Sequence, residues 1–86
     1  MSFADKVVLV TGASRGIGAA TAKAFGAAGA RVALGFSSDW EGAEATARAI
    51  REVGGTALMA PADLTDAVAI LRMADKIETD LGPIDV

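Results

Sequence analysis

Four successive apolar residues, Val7-Val8-Leu9-Val10, stand near the start of the chain with no polar residue between them. A strand with one wet face alternates apolar and polar side chains. A strand without alternation is buried on both faces, as in a parallel sheet. Parallel neighbours cannot be joined by a tight hairpin, so a long crossover must follow each one, usually a helix. This one run therefore asks for an α/β fold.

The rest of the chain repeats the unit. Residues 6–11 predict a first strand, and Gly12-Ala13-Ser14-Arg15-Gly16 a turn after it. Residues 17–28 are Ala-rich and predict a helix that Gly29 ends. Residues 31–36 form a second apolar run, and Ser37-Ser38-Asp39 offers turn and cap chemistry. Trp40, Ala43, Ala47 and Ile50 then line one face of a second helix, with Glu44 and Arg48 paired outside, until Gly54-Gly55 stops it. Residues 56–60 predict a third strand and 61–64 a loop. Thr65 is placed to cap a third helix, with Asp66 in its first turn and Ile70, Ala74, Ile77 and Leu81 on its inner face. Gly82-Pro83 ends it, and Ile84-Asp85-Val86 begins a fourth apolar run.

The pattern is βαβαβα plus the start of a fourth strand, which predicts the first half of a doubly wound parallel sheet in a single domain over residues 1–86. A sheet stopped there has an open edge and an uncovered apolar face, so the chain is expected to be the N-terminal portion of a longer protein.

Composition then removes whole classes of chemistry. The chain has no His, no Cys and no Tyr. A His-centred triad, a thiol nucleophile, a Cys/His zinc site and a tyrosine acid are all excluded within these residues. No cluster of His, Cys and carboxylates suggests a metal. A net charge of −3 speaks against nucleic acid and anionic membranes as partners. No apolar run reaches a membrane span of about 20 residues. Met1-Ser2-Phe3-Ala4-Asp5-Lys6 does not read as a secretory leader, so the expected compartment is the cytoplasm.

The chemistry lies in Thr11-Gly12-Ala13-Ser14-Arg15-Gly16-Ile17-Gly18, between the first strand and the first helix. Gly12 permits a sharp turn off the strand. Gly16 leaves no Cβ in the way of a pyrophosphate, and Gly18 lets the helix lie close to the sheet. The N–H groups near Ile17 then face an anion with the helix dipole behind them. Ser14 adds a hydroxyl donor and Arg15 a cation. A glycine-rich turn alone is a weak signal; after a buried strand and at the head of a helix it is the context of a dinucleotide site. A P-loop is excluded, because no Gly-Lys-Ser/Thr follows.

The spacing G-x-x-x-G-x-G in that segment resembles the cofactor motif of the short-chain dehydrogenase/reductase family, T-G-x-x-x-G-x-G, at every fixed position. Asp63-Leu64-Thr65-Asp66 resembles the family's acidic motif after its third strand, and Gly82-Pro83-Ile84-Asp85-Val86 the start of the segment that runs on into Asn-Asn-Ala-Gly. The resemblance spans the whole chain and is nearest to reductases of 3-oxoacyl carrier proteins. It implies a Rossmann-type fold, a nicotinamide cofactor, a small carbonyl or alcohol substrate, and a dimer or tetramer of the full-length protein. It also implies that Asp63 and Leu64 lie beside the adenine, and that Asp85 is structural and near the adenine side. The family's catalytic Asn and Ser and its Tyr-x-x-x-Lys pair are absent here, so no catalytic residue is expected in this chain.

Cofactor choice turns on the end of the second strand. A carboxylate there bonds the ribose 2′-hydroxyl and repels a 2′-phosphate. This chain has Phe36 at that position, followed by Ser37. Arg15 resembles the cation that pairs with the 2′-phosphate in NADP-preferring members, and Ser37 can donate to the same group. The expectation is NADP(H), with NAD(H) as the alternative. The expected cofactor residues are Gly12, Ser14, Arg15, Gly16, Ile17, Gly18, Phe36, Ser37, Asp63 and Leu64. Asp39 is assigned to the cap of the second helix, and Trp40 to packing. Two other readings fit the same residues: a non-catalytic dinucleotide-binding module, and an engineered half-Rossmann fragment.

Overall fold

The computed structural model describes residues 3–86. Its elements run β1 (Val7–Thr11), α1 (Gly16–Ala27), β2 (Arg31–Phe36), α2 (Trp40–Glu52), β3 (Thr56–Pro61) and α3 (Ala67–Asp80). The strands form one parallel sheet with β2 between β1 and β3. The register aligns Val8 with Val32 and Val32 with Ala57, and, two residues further along, Val10 with Leu34 and Leu34 with Met59.

The sheet divides the core in two. Val8, Val10, Val32, Leu34 and Ala57 face α1 and α2, where Ala22, Ala47 and Ile50 close the layer. Val7, Ala33 and Ala60 face the other way, onto Met73 and Ile77 of α3, with Leu81 beyond its end. This is why Val7 to Val10 do not alternate: both sides of β1 are apolar environments. Small side chains set the helix spacing. Ala22, Ala43 and Ala47 are fully buried, so α1 and α2 can lie close to each other and to the sheet.

Three local expectations are corrected. The cap of α3 is Asp66, whose carboxylate accepts from the N–H groups of Val68 and Ala69. Thr65 is instead drawn into the preceding turn by Asp63. β3 continues to Pro61, where a loop is expected; a proline, having no N–H to donate, suits the end of an edge strand. α1 begins at Gly16, one residue before Ile17. The cap at Asp39 is as expected, its Oδ1 accepting from Gly42 N–H at 3.0 Å. The Glu44–Arg48 pair forms at 3.7 Å on the exposed face.

The last residues lie along the free edge of β1. Val86 donates to the Val7 carbonyl at 3.2 Å and accepts from Leu9 N–H at 2.9 Å, the bonding pattern of a parallel neighbour around Val8. Asp85 is structural: its Oδ2 accepts from Val7 N–H at 2.9 Å. That places it at the start of β1, the opposite end from the glycine turn, and not on the adenine side. On the outer edge of the sheet, Arg51 donates to the Ala57 carbonyl at 2.8 Å, which occupies an acceptor that an edge strand otherwise exposes.

Candidate dinucleotide site

The turn after β1 is shaped by its glycines. Gly12 (φ 64°) and Gly16 (φ 63°) both lie in the left-handed region, where side chains other than glycine are strained. A Cβ added at either would meet nothing within 4 Å, so the backbone there borders open space. Gly18 is required for a different reason. A Cβ on it would overlap the Gly12 carbonyl oxygen and stand 2.6 Å from the Gly12 carbonyl carbon. Only glycine lets α1 start this close to the end of β1.

The head of α1 is electrostatically open. Its N-cap, Arg15, is extended and makes no side-chain cap bond, and the first turn holds no acidic residue. The other two helices are closed by aspartates, Asp39 and Asp66. The uncapped N–H groups and the dipole behind them favour an anion at Gly16, Ile17 and Gly18. Ile17 is 87% exposed at this point, an apolar side chain left in solvent beside the turn.

Next to the turn is a cleft of about 280 Å³, lined by Gly12, Ser14, Arg15, Phe36, Ser37, Ser38, Asp39 and Leu64. Three separate segments meet there: the glycine turn, the end of β2 and the loop after β3. The backbone ties them together, Ala13 donating to the Gly35 carbonyl and Ala62 to the Phe36 carbonyl, both at 2.9 Å. Among the described residues Arg15 has no ion-pair partner, so its charge is available to the cleft. Phe36 is nearly buried, with its ring edge-on to Trp40 at 4.9 Å. The end of β2 therefore presents no charge.

Of the residues expected from the sequence, Gly12, Ser14, Arg15, Phe36, Ser37 and Leu64 line the cleft. Gly16, Ile17 and Gly18 form the adjoining first turn of α1. Asp63 does not line it. Its Oδ1 accepts from the Thr65 hydroxyl at 2.6 Å and from Thr65 N–H at 2.9 Å. The hydroxyl bond first, and the backbone bond second, hold this exposed carboxyl below the usual aspartate range. Ser38 and Asp39 also line the cleft; Ser38 carries no sequence signal beyond its place after Ser37, and Asp39, the acid nearest the end of β2, is assigned from the sequence to the helix cap. A second groove, about 310 Å³ between the end of β3 and α3, is lined by Ala60, Pro61, Asp66, Val68, Ala69, Arg72, Met73 and Lys76 and shares no residue with the glycine turn.

The residues fit a dinucleotide. Open backbone at Gly12 and Gly16, an uncapped helix head and an unpaired cation lie within one connected surface. They can bind and orient; none of them is a proton donor or nucleophile of the sort that carbonyl chemistry needs. Among the described residues no helix is long and apolar enough to cross a membrane.

Known proteins share this sequence pattern and fold. The family model described as short chain dehydrogenase matches residues 6–86. A cis-4-hydroxycyclohexanecarboxylate dehydrogenase from Sinomonas cyclohexanicum is 41% identical over 85 residues, which is 99% of this chain and 33% of that protein. A 3beta-hydroxysteroid dehydrogenase 1 from Eggerthella lenta is 42% identical over 81 residues, 94% of this chain and 31% of the relative. The chain thus spans about a third of the length of these relatives. Among solved structures, a dehydrogenase/reductase from Sinorhizobium meliloti superposes with a TM-score of 0.94 at 43% identity, over 98% of this chain and 33% of that one. A metagenomic short-chain oxidoreductase solved in complex with NADP gives 0.91 at 41% identity, over 99% of this chain and 38% of that one. A glycine turn of this geometry, in a parallel sheet matched from Lys6 to the last residue, leaves a single assignment: the chain belongs to the short-chain dehydrogenase family.

Proposed function

We propose that this chain is the NADP(H)-binding part of an oxidoreductase acting on a small carbonyl or alcohol substrate, and that residues 1–86 are the N-terminal portion of one Rossmann-type domain. The observation that carries the reading is the open head of α1 beside a cleft holding Arg15 and Ser37, with uncharged Phe36 at the end of β2 and the nearby Asp39 carboxylate engaged by the Gly42 N–H. A pyrophosphate takes the N–H groups of Gly16, Ile17 and Gly18 and the Ser14 hydroxyl. A ribose 2′-phosphate takes the Arg15 guanidinium and the Ser37 hydroxyl. Leu64 packs on the adenine, with Asp63 as an ionised acceptor at its rim. Ile17 covers the cofactor and so loses its exposure to water. A similar structure solved in complex with NADP agrees with this choice.

A bound nicotinamide cofactor supplies or accepts the hydride. The residues here orient it; the proton comes from catalytic Ser, Tyr and Lys groups that these 86 residues do not hold, so the chain alone is inactive. The full protein is a cytoplasmic homo-oligomer, a dimer or a tetramer. Calorimetric titration tests the cofactor claim. Arg15→Ala is expected to weaken NADP(H) by about 1–3 kcal/mol, the size of a charge-assisted contact, and to leave NAD(H) nearly unchanged. Equal losses for both dinucleotides would remove Arg15 from the 2′-phosphate site.

A further inference from the structure

Gly42, in the first turn of α2, is not part of the glycine motif, yet it abuts that motif's backbone. A Cβ added to Gly42 would overlap the Ser14 carbonyl oxygen, and it would stand 2.5 Å from Asp39 Oδ2 and 2.9 Å from Asp39 Cγ. The position is helical, so the requirement comes from close approach and not from backbone conformation.

Gly42 is also held where it is. Its N–H donates to Asp39 Oδ1 at 3.0 Å. Its carbonyl accepts from Thr46 Oγ1 at 3.0 Å, and Thr46 is a fully buried polar side chain. The opposing loop is anchored too, but one residue earlier, where Ala13 donates to the Gly35 carbonyl at 2.9 Å. Among the described residues the peptide between Ser14 and Arg15 has no such backbone tie. Added volume at Gly42 presses on that peptide, next to Arg15, as well as on the Asp39 carboxylate.

We propose that the first turn of α2, with Gly42 at its contact point, is the positioning element for Ser14 and Arg15. It sets how well the cleft distinguishes a dinucleotide with a 2′-phosphate from one without. Gly42 acts through the Ser14–Arg15 peptide and makes no contact with the ligand. The inference rests on the cofactor reading above.

The test compares Gly42→Ala with Gly26→Ala in the protein expressed from its own gene. The three atoms nearest to a Cβ at Gly26 all belong to the Ile50 side chain, the first at 2.8 Å, so that variant disturbs the packing of α1 on α2, away from the turn. Binding of NADP(H) and NAD(H) is measured by calorimetry, and melting temperatures report stability. Gly42→Ala is expected to weaken NADP(H) by about tenfold or more, the scale of one charge-assisted contact, and NAD(H) by clearly less. Gly26→Ala should lower the melting temperature and keep the NADP(H)/NAD(H) ratio of the wild type. If both variants leave that ratio unchanged, Gly42 is only a packing residue and the proposal is wrong.

Should Gly42→Ala not fold, Asp39→Asn and Asp39→Ala are compared by their NADP(H)/NAD(H) ratio as well as by affinity, because Asp39 itself lines the cleft. Both remove the charge, but only asparagine keeps the cap. The alanine variant should bind NADP(H) several-fold more weakly than the asparagine variant; equal affinities overturn the proposal. A wild-type protein that binds neither dinucleotide overturns the cofactor reading and this inference together. Wild-type binding with indistinguishable variants overturns the inference alone.

Discussion

Asp63 shows how one carboxylate is committed within its own turn. Both Thr65 bonds go to Oδ1 and hold the group ionised below the usual aspartate range. A depressed folded value means that the turn's contribution is complete at neutral pH. It is lost only as the pH falls through that depressed value. Thr65→Ala is expected to move the Asp63 titration back up toward an ordinary aspartate, read by carboxyl carbon shifts in an NMR pH series. An unchanged titration would mean that the Thr65 hydroxyl bond does not form in solution. At this scale the sequence is legible where a residue type is dictated locally. Gly12 and Gly16 need a backbone that only glycine adopts freely, so the motif stands out. Gly42 does not, because its reason is a carbonyl oxygen in another element.

Among the elements, order and type follow from apolar runs and glycine stops, but ends depend on competition between neighbours. Thr65 and Asp66 are both good caps. Asp63 captures the threonine, so the aspartate caps α3. Nothing in the local sequence ranks those two outcomes. Likewise β3 reaches Pro61 because its partner Phe36 extends that far along β2. Packing is better determined. Ile50 is 1% exposed and sits where α2 meets Gly26 of α1 and Gly55 before β3. Ile50→Ala should cost about 2–5 kcal/mol in denaturant unfolding, from lost burial plus the cavity left behind. Leu71→Ala, at a position 67% exposed, should change stability by no more than about 0.5 kcal/mol. A small effect at Ile50 would argue that α1 and α2 do not close on one another as described.

For the molecule as a whole, the sheet has two functional ends. At one, Asp85 accepts from Val7 N–H and fastens residues 85 and 86 to the free edge of β1. Asp85→Ala should cost about 1 kcal/mol and speed amide exchange at Val7, followed by hydrogen-exchange NMR. Unaltered exchange there would mean that the edge is not fastened in this way. At the other end, the glycine turn, the tip of β2 and the loop after β3 converge on one cleft. The parallel order of strands made that convergence legible from the sequence, because a ligand in such a sheet lies at the carboxyl ends of the strands.

The most direct measurement is therefore a titration of the isotope-labelled protein with NADP+, followed amide by amide in NMR spectra. The largest shifts are expected at Gly12, Gly16, Ile17 and Gly18, with smaller ones at Ser37 and Leu64. Shifts confined to the groove between β3 and α3, at Ala60, Ala69 and Arg72, or no shifts at all, would contradict the proposed cofactor site.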